Sequence, residues 1–159
     1  MKVHFCRSLK PGGLFIQAAT FSRWNHVAIE INGVVFDSTF AHGVACWPAE
    51  DFAGRYHEVV TLVLELPDEK AALAFLNAQL GKQYDLSALA ALPFRGTWQD
   101  PDKWFCSELF AEMLRAGGIQ LLDTVFKGYR VTPRDAYIVT HLINGQPIEK
   151  VVTVDSLNQ

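Results

Sequence analysis

Three residues carry side chains suited to thiol chemistry: Cys106, His26 and Asp37. Apolar residues follow Cys106 at 109, 110, 113 and 114, which is the spacing of one helix face, and Gly117 ends that stretch. We therefore expect Cys106 in the first turn of a helix, facing inward. Backbone N–H groups and the helix dipole favour a thiolate there. Taken alone, this position still favours a structural cysteine, because buried cysteines are common.

His26 and Asp37 lie in two β-rich stretches that an Asn-Gly pair at 32–33 joins. Such a pair predicts a β-hairpin with a two-residue turn, because both turn residues must accept positive φ. In that register Ile31 pairs with Val34, and Asp37 is a diagonal neighbour of His26 on the same face. A histidine held by a carboxylate, with a cysteine at a helix N-terminus, is the set of groups that a thiol nucleophile needs.

Two other residues on this face are alternative partners for the imidazole. Thr39 lies directly opposite His26 in the predicted register. Glu30 is on the same strand, but the usual rise per residue places it roughly 13 Å away. A slip of one residue would turn Asp37 to the apolar face and leave it as a costly buried charge. We expect Asp37 to orient His26, with Thr39 as the first alternative and Glu30 as the second.

Four features of the chain resemble one known family. They are the stretch NHVAIEING at 25–33, the acidic residue on the returning strand, GKQYD at 81–85 and FCSELF at 105–110. Together they resemble the circularly permuted branch of the NlpC-type papain-like cysteine hydrolases. That branch includes YiiX-like proteins and, more distantly, the lecithin:retinol acyltransferase group. Its histidine strand precedes the cysteine helix, as in this chain, and the resemblance covers about residues 20 to 140.

This resemblance implies a permuted papain-like fold and a role for each matching residue. Cys106 would be the nucleophile, His26 the base and Asp37 the residue that orients the base; some permuted relatives carry Glu or His at that third position. Tyr84 would line the site. Trp104, close to Cys106 in sequence, would suit an apolar or acyl-bearing substrate.

The implied activity is that of a cysteine hydrolase, an amidase or peptidase or an acyl-ester hydrolase, acting through an acyl-enzyme. Relatives cleave cell-wall peptides or act on lipid acyl groups, and the residues do not choose between these substrates. A non-catalytic module that binds a peptide or a lipid on the same fold is the alternative. A thiol-redox protein is disfavoured because the chain has no C-x-x-C pair. His42 and Cys46 lack a second ligand pair, so we expect no metal and no cofactor.

Composition bounds the remaining possibilities. The chain has 159 residues, of which 50% are hydrophobic and 19% are charged, which predicts one globular domain over 1–159. A net charge of −3 without a basic cluster argues against a nucleic-acid partner. No apolar stretch approaches the roughly 18 residues of a membrane span.

The three cysteines and the absence of an apolar N-terminal region predict free thiols in the cytoplasm. A role at the cell wall would then need another export route, such as phage-encoded delivery. The expected substrate is a small peptide or an acyl or amide compound.

Periodicity and turn signals predict adjacent strands and segregated helices, hence an α+β fold with a mostly antiparallel sheet packed against helices. Besides the hairpin, we expect strands at 1–8, 43–47, 57–66 and 150–154, with 57–66 central in the sheet. Pro11 and the glycines after it predict a turn at 10–13. Predicted helical segments lie at 48–52, 67–80, 86–92 and 133–143, and a loop at 94–103.

Overall fold

The five-stranded sheet of this protein is antiparallel throughout. A computed structural model describes residues 1–86, 102–120 and 131–145. Five strands pair in the order β4-β3-β2-β1-β5, which confirms the predicted sheet type. The strands are β1 Lys2–Arg7, β2 His26–Ile31, β3 Val34–Thr39, β4 Gly43–Pro48 and β5 Glu58–Val63.

Helices accompany this antiparallel sheet, which completes the predicted α+β class. A short parallel pair of two-residue strands, β6 and β7, brings Tyr84 opposite Trp104. The helices are α1 Pro11–Thr20, α2 Ala49–Phe52 with a 3₁₀ turn at Ala53–Arg55, α3 Glu69–Gln79, α4 Cys106–Ala116 and α5 Pro133–Asn144; β6 is Gln83–Tyr84 and β7 is Lys103–Trp104.

The hairpin of β2 and β3 has the register that its turn predicts. Ile31 pairs with Val34 and Ile29 with Phe36. Both turn residues have positive φ, 53° at Asn32 and 77° at Gly33, as the two-residue turn requires. His26 and Asp37 are therefore on the same face of the sheet, and no slip has occurred.

The two faces of the sheet pack against different partners. The main core forms where α3, α4 and α5 cover one face. A smaller cluster on the other face includes Ala28 and Val35, which alternate along their strands with the main-core residues Ile29 and Phe36. The remaining buried members of that smaller cluster are Cys6, Phe52 and Val59.

Two predictions were wrong. The stretch 57–66 was expected in the centre of the sheet, but β5 lies at its edge, because β1 inserts between β2 and β5. The stretch 10–13 was expected as a turn, but α1 begins there. Pro11 occupies the first helical turn, where its missing N–H costs no hydrogen bond.

Most of the predicted helix at 86–92, most of the loop at 94–103 and the strand at 150–154 lie outside the described residues. Among the described residues, no helix combines the length and apolar character needed to cross a membrane.

Candidate active site

Cys106 is the first residue of α4, as its spacing to the apolar stripe predicts. Its side chain is 1% exposed and belongs to the main core, where α4 packs against β2. The start of α4 is fixed by side-chain hydrogen bonds: the Phe105 N–H donates to Glu108 Oε2 at 3.2 Å, and the Ser107 hydroxyl donates to the Val131 carbonyl at 2.6 Å. The first N–H groups of a helix have no intrahelical acceptor, so the Cys106 amide can serve a ligand.

His26 is the first residue of β2, and its Nε2 lies 3.1 Å from Oδ2 of Asp37. Asp37 has no exposed surface. The predicted contact between these two side chains is therefore present. Because Nε2 is committed to the carboxylate, Nδ1 is the nitrogen left for Cys106.

Two further side chains hold the carboxylate of Asp37. The indole N–H of Trp47 donates to Oδ1 at 2.9 Å, and the Tyr56 hydroxyl donates to Oδ2 at 3.4 Å. The ring of Tyr56 also stacks on the imidazole of His26, with centroids 5.3 Å apart and planes 13° from parallel. Asp37 is thus a buried carboxylate whose oxygens both have donors, as a buried charge requires.

Sequence reasoning did not identify Trp47 or Tyr56 as part of the site. The role of Trp47 could have been inferred from its position at the end of the predicted strand at 43–47, had the pairing of that strand with β3 been considered. In the observed register Asp37 pairs with Ala45, so Trp47 is a diagonal neighbour within reach of its side chain. Tyr56 follows the 3₁₀ turn, and no local pattern places its ring over His26.

The charges of this group depend on one another. Burial lowers the pKa of His26, but the hydrogen bond with Asp37 and the interaction with Cys106 outweigh burial and raise it to about 10. Burial raises the pKa of Asp37, but the hydrogen bond and charge of His26, with help from Trp47 and Arg55, lower it below its ordinary value. His26 is therefore an imidazolium and Asp37 a carboxylate at neutral pH.

The two alternative partners of His26 have other surroundings. Within the described part of the chain, the hydroxyl of Thr39 is buried without a hydrogen-bond partner. Glu30 bonds instead to Lys2 Nζ at 2.8 Å and to Nε2 of His4 at 2.9 Å. Of the three candidates, Asp37 is the one that contacts the imidazole.

Tyr84 lies near His26 and near the residue that precedes Cys106. It lines a cavity together with His26, and its ring centroid is 5.6 Å from that of Phe105, the residue before Cys106. Burial, with the negative charges that Cys106 and Glu108 can carry, raises the pKa of Tyr84. Its hydroxyl is therefore protonated at neutral pH and able to donate a hydrogen bond.

Trp104 is placed by contacts with α3. Its indole N–H donates to Gln79 Oε1 at 3.1 Å, and its ring meets Phe75 edge to face at 5.7 Å. It is not among the described residues that line the cavity, so its substrate-binding role stays a prediction. Its carbonyl accepts a hydrogen bond from the Ser38 hydroxyl at 2.7 Å, which links β3 to the segment that leads into α4.

The cavity beside His26 has a volume of about 550 Å³. Segments from α1, from the β3–β4 turn and from the residues around the 3₁₀ turn form its walls. Among the described residues that line it are Lys10, Ile16, Thr39, Phe40, Arg55 and Leu86.

Comparison with known proteins identifies the fold. No protein-family model and no curated protein matches the sequence. Among solved structures the chain is similar to YiiX from Escherichia coli O157:H7, described as a metalloprotein, with 19% sequence identity and a TM-score of 0.57. The match covers 98% of this chain and 89% of YiiX. The chain therefore has the YiiX-like fold that its motifs predicted.

Proposed function

We propose that this protein is a cysteine hydrolase in which Cys106 attacks an amide or ester carbonyl. The observation that carries the proposal is the 3.1 Å contact of His26 with the fully buried Asp37, in a histidine whose pKa responds to Cys106. A cysteine at a helix N-terminus, a histidine and a carboxylate behind that histidine are the groups that thiol acyl transfer uses.

The proposed reaction starts from a thiolate on Cys106 paired with the imidazolium of His26. Sulfur attacks the carbonyl carbon, and the oxyanion accepts hydrogen bonds from the Cys106 amide and from the Tyr84 hydroxyl. His26 then gives its proton to the leaving group, which departs as an amine or alcohol. Water, deprotonated by His26, attacks the thioester, which releases the acid and regenerates the Cys106 thiolate beside the His26 imidazolium.

Asp37 acts in this scheme through His26. Its carboxylate accepts from Nε2–H, which fixes the ring orientation and directs Nδ1 toward the sulfur. Trp47 and Tyr56 hold the carboxylate in turn. They are positioning residues, and we expect their loss to weaken catalysis through the imidazole.

The proposed mechanism contains no metal step. YiiX is described as a metalloprotein, but the described residues of this chain contain no group of three or more His, Cys, Asp or Glu side chains that could hold a metal ion. The other groups that bond to the carboxylate of Asp37 beside His26 are the indole N–H of Trp47 and the hydroxyl of Tyr56, and an indole N–H is a donor only.

The second candidate function is a non-catalytic module that binds a peptide or a lipid. One observation favours it: the side chain of Cys106 is 1% exposed, whereas His26 lines an open cavity of about 550 Å³. A ligand bound in that cavity would need no access to the sulfur. The two functions differ in whether Cys106 is needed.

The test is turnover of a panel of cell-wall peptides and acyl esters by wild type, Cys106→Ala and Cys46→Ala. Cys46 is exposed and serves as the matched control. We expect at least one substrate to be hydrolysed by wild type and by Cys46→Ala, and not by Cys106→Ala. Binding of a panel member without turnover, with equal affinity in Cys106→Ala, would establish the binding module instead.

A further inference from the structure

The cavity beside His26 is lined by charges of one sign. Lys10, Arg55 and His26 contribute to its wall, and no Asp or Glu does so among the described residues. Asp37 lies behind His26 with no exposed surface, so its charge is not presented to the cavity. A concave site lined by cations raises the local concentration of anions.

Arg55 is a cation in this wall that has an unsatisfied hydrogen-bond donor. Its guanidinium lies 4.0 Å from the ring centroid of Trp47, and it forms no salt bridge within the described part of the chain. One of its terminal nitrogens, Nη1, is buried and has no hydrogen-bond acceptor among the described residues. Buried donors without acceptors are rare, and the planar fork of arginine matches a carboxylate.

A second unpaired group lines the same cavity. The hydroxyl of Thr39 is buried and has no partner in the described residues, although it could donate one hydrogen bond. Apolar side chains complete the wall: Ile16 is buried, while Phe40 and Leu86 are 73% and 51% exposed. The lining thus combines unpaired donors with a surface for hydrocarbon.

We propose that the cavity binds an acyl substrate that carries a carboxylate, with Arg55 as the residue that binds it. The hydrocarbon between that carboxylate and the scissile carbonyl packs on Ile16, Phe40 and Leu86. This inference rests on the proposed cysteine hydrolase function, because it assigns the cavity to the acyl part of the substrate of Cys106.

Two isosteric esters test this inference, the mono-4-nitrophenyl esters of adipic acid and of adipamic acid. They share the reacting ester and differ in a terminal carboxylate or neutral amide. We expect wild type to favour the carboxylate ester by about 10- to 100-fold in kcat/KM, mainly through a lower KM, as loss of a charge-assisted hydrogen bond would predict. Arg55→Gln should remove this preference, and Arg55→Lys should retain only part of it.

Arg134→Gln is the matched control, since Arg134 is an exposed residue of α5 outside the cavity wall. It should keep the full preference. Equal kcat/KM for both esters in wild type, or an unchanged preference in Arg55→Gln, would overturn the inference. An equal fall of kcat for both esters in Arg55→Gln would also overturn it, because Arg55 would then act only through Asp37.

The experiment separates this inference from the function on which it rests. If Cys106→Ala still hydrolyses both esters at the wild-type rate, the proposed function fails and the inference fails with it. If Cys106→Ala is inactive and wild type shows no charge preference, the cysteine hydrolase stands and the carboxylate site alone is rejected.

Discussion

The buried charge of Asp37 is stabilised by three side chains from different parts of the chain. His26 comes from β2, Trp47 from β4 and Tyr56 from the segment after the 3₁₀ turn. A carboxylate with no exposed surface is costly unless its oxygens are satisfied and a positive charge lies nearby. The hydrogen bond that helps to satisfy this carboxylate also fixes the imidazole of His26. The stability of the buried charge and the orientation of His26 therefore both depend on Asp37 and its partners.

We predict that Asp37→Asn leaves the fold intact and slows acylation by orders of magnitude. In serine triads the equivalent change costs roughly 10⁴-fold, because the amide stabilises the wrong imidazole tautomer. Acylation is measured as the burst of leaving group, and folding by circular dichroism. Thr39→Val tests the first alternative partner and should slow acylation far less than Asp37→Asn does. Full activity of Asp37→Asn with loss of activity in Thr39→Val would show that Thr39 orients His26.

We predict that the alkaline limb of kcat/KM reports His26. Interactions with Asp37 and Cys106 outweigh burial and raise the pKa of His26 to about 10, so the proton needed by the leaving group is present at lower pH and is lost as pH rises through that value. Asp37→Asn removes a main cause of the upward shift and should move the limb to lower pH. An alkaline limb at the same pH in both proteins would contradict this assignment.

Local sequence signals predicted individual helices and strands better than they predicted the order of the strands in the sheet. The hairpin followed from Asn32-Gly33, and the helix predicted at 133–143 begins at Pro133, where Thr132 and Asp135 form reciprocal capping contacts. The edge position of β5 could not be predicted, because insertion of β1 beside β2 is a long-range choice with no local signal. The stacking of Tyr56 on His26 could not be predicted for the same reason, because it depends on how separate segments of the chain pack.

One hydrogen bond joins the elements that carry the two halves of the candidate site. Ser38, next to Asp37 on β3, donates to the carbonyl of Trp104, two residues before Cys106. We predict that Ser38→Ala lowers the free energy of unfolding by about 1 kcal/mol. It should also lower kcat, because the start of α4 is no longer tied to β3.

Asp68→Ala is the control for that comparison. Asp68 caps α3 through the Ala71 N–H at 2.9 Å, and loss of such a cap costs about 1 kcal/mol. Urea unfolding should show similar losses in both variants, while kcat falls in Ser38→Ala alone. Equal kcat in the two variants would mean that the Ser38 hydrogen bond contributes to stability without positioning Cys106.

At the scale of the whole molecule, the YiiX-like fold brings together residues that are far apart in sequence. The histidine strand precedes the cysteine helix, and β2 contacts α4 across the main core. The motifs around His26 and Cys106 predicted that fold, although the identity to YiiX is only 19%. They did not predict the cavity, because its wall combines α1, the β3–β4 turn and the 3₁₀ turn.

If Cys106 is a nucleophile activated by His26, competitive alkylation of the native protein should distinguish it from the other two cysteines. Limited treatment with iodoacetamide at pH 6 to 7, followed by peptide mass mapping, compares Cys106 with the exposed Cys46 and the buried Cys6. Exposure alone favours Cys46, whereas a thiolate paired with imidazolium favours Cys106. We predict that Cys106 is labelled first and that His26→Ala abolishes this advantage. Preferential labelling of Cys46, or equal labelling of all three cysteines, would contradict the account.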